Sequence, residues 1–317
     1  MDASALARSA RPTSAAPGHL RSQSHSYRAY GLSIASDIEL PELVPGPPGG
    51  DIRIRRDTVD PVPDPGDGSP LWWAAEPTSA RITFPPVGSF LVRAGKEIVL
   101  DPIPDADPGL LRQVVLGPGL AIVLTQRGLT TLHASAVAID GGGVIFLGGA
   151  GGGKSTTAGV MHARGHPLIA DDAVAVAGTP EAPLLPPGFP RLKLWPEAAS
   201  SIGIDTDDLN VLYPDLEKRG WTVPRGFATA ALPPTHVYVL AEGPAVAIEP
   251  MAPAESVIEL IRNAHGVMSM YGIDASSQLQ RVALLAGQVK VRRLTRPLSL
   301  DSLFEVAEAV EADVASG

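Results

Sequence analysis

The chain has no cysteine among its 317 residues. That excludes disulfides, thiolate catalysis and cysteine-based zinc sites. It fits a reducing compartment, so a cytoplasmic protein is expected. An excess of positive charge is also lacking: 25 Lys and Arg stand against 34 Asp and Glu, for a formal net charge of −9. General nucleic-acid binders are usually basic, so no nucleic-acid partner is expected. No apolar run approaches the ~20 residues that cross a bilayer, and no membrane partner is expected. Residues 1–25 are rich in Ala, Ser, Arg and Pro and have no apolar centre. They are not a secretory signal. They read as a disordered arm, although an Arg/Ser-rich, acid-poor leader also resembles a transit peptide. Internal repeats and heptads are absent as well.

Hydrophobic residues make up 44% of the chain and charged residues 19%, enough for a substantial core. The 33 glycines and 32 prolines predict many tight turns and short elements rather than a helical bundle. The length allows two domains, or one large domain with an appendage.

Order is expected from about Tyr27. Tyr27 to Ala35 alternates like a strand, and so does Asp51-Ile-Arg-Ile-Arg55. Short strands follow at Leu71–Ala74, Ala80–Phe84, Ser89–Arg93 and Glu97–Leu100. Residues 26–105 thus read as a small, mostly antiparallel β-domain. Leu110 to Arg127 reads as a helix that Gly117-Pro118-Gly119 must kink or break, and 106–129 is taken as the connection between domains. A second domain spans 130–317. Its strands are expected at Leu132–Ile139, Val144–Leu147, His166–Ala170, Ala173–Ala177, His236–Leu240, Ala247–Glu249 and Lys290–Leu294. Its later helices are expected at Pro196–Ile202, Ala254–Asn263, Ser276–Ala286 and Leu300–Val314.

The most informative stretch is Gly148-Gly149-Ala150-Gly151-Gly152-Gly153-Lys154-Ser155, followed by Thr156. It matches the phosphate-loop (Walker A) pattern G-x-x-x-x-G-K-[ST]. An apolar strand precedes it and a helix pattern follows. Glycines let the backbone turn tightly and aim successive N–H groups at a phosphate. The helix N-terminus adds its positive dipole end. Lys154 can reach the β/γ-phosphate oxygens, and Ser155 can ligate Mg²⁺. A glycine-rich turn that merely joins strand to helix would explain the glycines but not Lys154-Ser155.

Asp171-Asp172 follows an apolar strand some seventeen residues after Lys154. Phosphoryl transfer uses one carboxylate to hold Mg²⁺ and often a second toward the attacking hydroxyl. Aspartates also build turns and caps, and only the loop upstream favours the chemical reading. His133 precedes the loop strand; if its strand pairs with that of Asp171, its side chain can approach Asp171, although a lone histidine is more often structural. Arg191 and Lys193 alternate on a strand and share one face, as phosphate or acceptor contacts or as a solvated edge. Phe189 and Trp195 read as core. Arg262, His265, Arg292, Arg293 and Arg296 read as surface charge, with a role near the phosphates as the alternative.

These residues carry a resemblance. Leu132-His133-Ala-Ser-Ala-Val, the loop Gly148 to Ser155, and Arg164-Gly-His-Pro-Leu-Ile-Ala-Asp171-Asp172-Ala-Val together resemble the catalytic domain of the HPr serine kinase family. The resemblance covers about residues 130–177. It implies an α/β P-loop nucleotide-binding domain, here with the small β-rich N-terminal domain, and ATP and Mg²⁺ as cofactors. It also implies Asp171 as base toward a serine hydroxyl, His133 as its support and Asp172 near the metal with Ser155. Two departures stand out. Bifunctional kinase/phosphorylases have Glu where this chain has Thr156. Their E-x-R-G-type signature is not recognised, and Pro187 to Trp195 stands in its place. The N-terminal region and that segment are more similar to the HPr-kinase-like proteins of lasso peptide and related peptide biosynthesis. The expected function is therefore serine phosphorylation of a peptide or small protein, with a lasso precursor as one candidate. A nucleotide-gated peptide-binding module or weak ATPase, and a small-molecule kinase, stay open, as does a homo-oligomer.

Overall fold

The computed structural model describes residues 24–213, 216–264 and 275–317. The arm expected over residues 1–25 falls, up to residue 23, outside the described residues. So does His265.

An eight-stranded sheet occupies the N-terminal third. Its spatial order is Val44–Pro45, His25–Ala29, Leu32–Ser36, Ile52–Arg56, Glu97–Pro102, Gly88–Arg93, Ser79–Phe84, Trp72–Glu76. Ile52–Arg56 runs parallel to both neighbours; the other pairs are antiparallel. The single strand expected from Tyr27 to Ala35 is instead a hairpin. Tyr30 and Gly31 both adopt positive φ, 55° and 74°, which makes the two-residue turn that suits a twisted hairpin. Tyr30 accepts this unusual backbone while its side chain is buried and its hydroxyl donates to the Ala173 carbonyl at 3.1 Å.

The expected connecting helix is present as Pro108–Val114 and Leu120–Gln126, joined by a wide π-type turn at Val115–Gly119. Pro118 widens the helix there rather than ending it, because the wider turn absorbs its missing N–H donor. Asp107 caps the start, its Oδ1 accepting from the Leu110 N–H at 2.8 Å. Contrary to the expectation from apolar run length, residues 108–126 are long and apolar enough to cross a membrane. Most of that stretch is buried in the protein, with Leu110, Leu116, Leu120 and Leu124 packed among the core residues of the N-terminal sheet. It is a core helix.

The second half is a mixed α/β unit around a six-stranded sheet. Its order is Leu168–Ala170, Ser135–Ile139, Gly142–Leu147, Pro234–Glu242, Lys290–Arg296, Ala247–Pro250. The middle three are parallel. Alternate residues of Gly142–Leu147 feed opposite layers, as the pleat dictates. Val144 and Phe146 pack with helices Lys154–Ala163 and Leu303–Ala315. Ile145 and Leu147 pack with Leu260 of Pro253–Arg262 and with Val282 and Leu285 of Ala275–Gln288.

One expectation needs correction because it creates the site. Leu132–Ile139 is not one strand. Thr130–Leu132 pairs with Val174–Thr179 in a separate small sheet, whereas Ser135–Ile139 pairs with Leu168–Ala170 in the central one. Both chains change sheets at the same level, at His133-Ala134 and at Asp171-Asp172-Ala173. Freed from ladder pairing there, His133 and Asp172 face each other. Leu209–Tyr213 and Leu216–Thr222 escaped the sequence reading, as did the short Val44–Pro45 and Ala182–Leu184; with Arg191–Leu194 the first two form another small sheet.

Candidate active site

Strand Gly142–Leu147 ends in the glycine-rich loop Gly148–Gly153, and Lys154 opens the helix that follows. Gly151 and Gly153 have φ of 74° and 82°, a left-handed backbone that a side chain would strain. The Lys154 ammonium is buried and donates to the carbonyls of Gly148 at 2.8 Å and Gly149 at 3.0 Å. Thr157 Oγ1 donates to the Gly153 carbonyl at 3.0 Å. Asn263 anchors the loop's start, its Oδ1 accepting from the Gly148 N–H at 3.2 Å while its carbonyl accepts from the His133 N–H at 2.7 Å. Burial lowers the Lys154 pKa, and repulsion from Lys218 adds to this against the pull of Asp171 and Asp172.

The loop, from Ala150 through Ser155 and Thr156, forms one wall of a cleft. His133, Asp172, Lys193, Trp195 and Lys218 form the other. Asp172 has a left-handed backbone, φ 72°, which Asp tolerates better than most residues. Its Oδ2 accepts from Lys193 Nζ at 2.6 Å. His133 Nδ1 lies 3.1 Å from the Asp172 carbonyl and 3.5 Å from its Oδ1. A carbonyl only accepts, so Nδ1 carries the hydrogen and the neutral ring's lone pair is on Nε2. Burial, then Lys154, depress the His133 pKa, which favours that neutral form.

Asp171 is 6% exposed. Its Oδ1 accepts from Ser135 Oγ at 2.6 Å and its Oδ2 from the Lys193 backbone N–H at 2.8 Å. The expected approach of His133 to Asp171 is corrected in part: the His133 hydrogen bond goes to Asp172 and Ser135 takes the place beside Asp171, whose charge still acts on the ring. The cause is the change of sheet at His133, which turns the histidine out of the strand. The two aspartates share a smaller hollow with Leu116, Phe189 and Arg191.

Arg191 and Lys193 both border that hollow, as their spacing implies. Arg191 is buried; its Nη2 donates to Gln113 Oε1 at 3.2 Å, its Nη1 lies 3.7 Å from Glu42 Oε1, and its guanidinium stacks over Phe189. It ties the site to the N-terminal sheet and helix. Phe189 is core, packed edge-on against Tyr30. Trp195 is not core: it is 40% exposed and lines the cleft. Arg262 pairs with Glu259 at 2.7 Å, Arg292 with Asp313 at 3.0 Å and Arg293 with Glu255. Arg296 departs from the surface reading, for it is buried with Nη2 donating to the Gly152 carbonyl at 3.0 Å.

Sequence reasoning passed over Ser135, Lys218 and Asn263, because their partners lie far along the chain. It also passed over a tetrad. Glu217-Lys218-Arg219-Gly220 fits E-x-R-G, so its expected absence is corrected. It sits on Leu216–Thr222, with Gly220 opposite Lys193 and Arg219 opposite Leu194. Among the described residues no three His, Asp or Glu side chains group as a metal cage. Mg²⁺ does not require one, since it takes one or two protein ligands and completes its shell with water and phosphate oxygens. Ser155 and Asp172, which border one cleft, fit that demand.

Residues 125–187 match the family model of the HPr Serine kinase C-terminal domain. No curated protein matches the chain. Among solved structures, the HPr(Ser) kinase/phosphatase from Coxiella burnetii is similar at 14% identity and a TM-score of 0.31, over 59% of this chain and 97% of that one. The matched fifth of the chain carries His133, the glycine-rich loop with Lys154 and Ser155, and both aspartates, whereas Lys193, Trp195 and Lys218 of the cleft lie beyond it.

Proposed function

We propose that this chain is an ATP- and Mg²⁺-dependent kinase that phosphorylates a serine hydroxyl on a peptide or small protein. The observation that carries the reading is the cleft itself. A phosphate loop with Lys154 and Ser155 faces Asp172, Lys193 and His133, and Asp171 lies in the adjoining hollow. The family-model match supports a serine-kinase-like, ATP-dependent phosphotransferase.

Lys154 and the loop N–H groups hold the phosphates. Ser155 and Asp172 hold Mg²⁺, which when bound neutralises charge on the β/γ oxygens. Lys193 fixes the Asp172 carboxylate, and neutral His133 braces Asp172 rather than Asp171. Asp171 accepts the acceptor's proton, with Ser135 and the Lys193 N–H fixing its orientation. Positioning and electrostatics supply most of the acceleration.

The acceptor is a peptide, with lasso precursor peptides the first class to test. In support, the N-terminal sheet has two edge strands, Val44–Pro45 and Trp72–Glu76, and edges hold extended peptides. Its residues also touch the site, through Tyr30 on Ala173 and Glu42 near Arg191. The test presents precursor peptides, free serine and HPr protein in parallel with Mg²⁺ and ATP, and locates phosphate by mass spectrometry. Phosphoserine on a peptide is expected. Phosphate on free serine or HPr, with every peptide untouched, rejects the peptide reading.

A further inference from the structure

Three arginines end the strand Lys290–Arg296, and two of them face acids: Arg292 has Asp313 and Arg293 has Glu255. Arg296 is different. It is 5% exposed, yet no carboxylate pairs with it among the described residues. Among the described residues its guanidinium reaches only carbonyls, Gly152 at 3.0 Å and Pro297 at 3.2 Å, and its Nε meets no partner. A buried cation without a counter-ion is costly, and such groups concentrate at functional sites.

Its position is equally specific. Arg296 is the last residue of a parallel strand, at the sheet edge where open α/β folds bind ligands. It lies behind the phosphate loop, outside the cleft lining. A Cβ on Gly153 would overlap its Nη2. The glycine before Lys154 is favoured by its positive φ, and a side chain there would also have to displace this guanidinium. By donating to the Gly152 carbonyl, Arg296 fixes the peptide plane between Gly152 and Gly153.

We propose that Arg296 is a positioning residue of the phosphate loop, and that the phosphates of a bound nucleotide supply its missing counter-charge. This rests on the nucleotide reading above. Burial lowers the Arg296 pKa, in keeping with a charge that has no anion beside it. The arginine acts on ground state and transition state alike, because it shapes the loop rather than touching the transferred group.

The test measures affinity for Mg-ADP and for magnesium pyrophosphate by calorimetry, in the wild type, Arg296→Met and Arg296→Lys. Arg296→Met is expected to weaken both ligands about 10- to 100-fold, the scale of a lost charge-assisted contact. KM for ATP should rise in the same proportion with kcat changed less than about threefold, the signature of uniform binding. Arg296→Lys keeps a point charge but loses the fork, so its loss should be smaller but at least about threefold. Wild-type affinity in Arg296→Met overturns the proposal. If that variant does not fold, wild-type affinity in Arg296→Lys overturns it. A wild-type protein that binds neither ligand overturns the nucleotide reading and this inference together, whereas wild-type binding with unaffected variants overturns this inference alone.

Discussion

Replacing Lys154 with Met separates what the phosphate loop does for the fold from what it does for a nucleotide. In the structure Lys154 donates to two loop carbonyls, at 2.8 and 3.0 Å. Each such bond has a charged donor and contributes net roughly 1.5–3 kcal/mol. Against this stand the burial of an ammonium and its repulsion from Lys218, both of which depress the Lys154 pKa. Methionine keeps most of the buried stem and removes both the bonds and the cost. The net change in stability should lie within about 1 kcal/mol of zero, a shift in Tm of about 2–4 °C for a chain of this size. Binding behaves differently. Without the cation, β/γ oxygens lose charge-assisted contacts that contribute about 1.5–3 kcal/mol each. Two such contacts predict a drop in affinity of about 10²-fold or more. Thermal melting without ligand, followed by calorimetry with Mg-ADP, reads both quantities in one preparation. Unchanged Mg-ADP affinity in a folded Lys154→Met protein would refute the phosphate-loop assignment. A fall in Tm beyond about 10 °C would refute the argument that the ammonium's burial offsets its bonds.

Four further outcomes are expected. Asp171→Asn should keep nucleotide affinity while transfer falls about 10²–10⁴-fold, the scale of a general base. Asp172→Asn should instead raise the Mg²⁺ concentration needed for half-maximal rate, and wild-type transfer by Asp171→Asn would move the base to another group. Glu311, held by Arg164 at 2.7 and 2.8 Å and by His166 at 2.9 Å, has its pKa drawn down to about 2 from 4.5, chiefly by Arg164. Its contribution is therefore fully present above about pH 4.5 and is lost as pH falls toward 2. Glu311→Gln should lower stability by about 1 kcal/mol at pH 7, with the gap to wild type closing in acid; a gap that widens below pH 4 in denaturant titrations contradicts this. Tyr30→Phe removes the hydroxyl that reaches the Ala173 carbonyl beside Asp172 and should cost about 1 kcal/mol, read as a lower urea midpoint. An unchanged midpoint would mean that water replaces the hydroxyl.

The parts of the site that are close in sequence were legible in it. Glycines, Lys154 and Ser155 form one continuous pattern, and Asp171-Asp172 ends a recognisable apolar strand. What sequence could not supply is register. His133 hydrogen-bonds Asp172 because the central-sheet strand begins only at Ser135, three residues after the start that the alternating pattern suggests. Leu132–Ile139 alternates like a single strand, and nothing local marks the change of sheet. Arg296 was read as surface charge because strand charge usually is. Its burial follows from a loop more than 140 residues away. Glu217–Gly220 went unnoticed because the strand bearing it has little apolar alternation and is held by pairing with Arg191–Leu194. Tyr30 and Gly31 form a tight turn without any of the usual Asn-Gly or Asp-Gly pairs, so the N-terminal hairpin read as one strand. The Gly-Pro-Gly in the core helix was legible, for the α-helix is interrupted there by the π-type turn Val115–Gly119.

The most direct test of the central claim follows the fate of the terminal phosphate. Wild-type protein is supplied with Mg²⁺, γ-labelled ATP and a peptide acceptor, and the label is partitioned between peptide and free phosphate over the first few turnovers. The account predicts label on a serine of the peptide in amounts that match the ADP formed, and none with Lys154→Met. Label recovered only as free phosphate, at any acceptor concentration, would contradict it and make the chain an ATPase rather than a kinase.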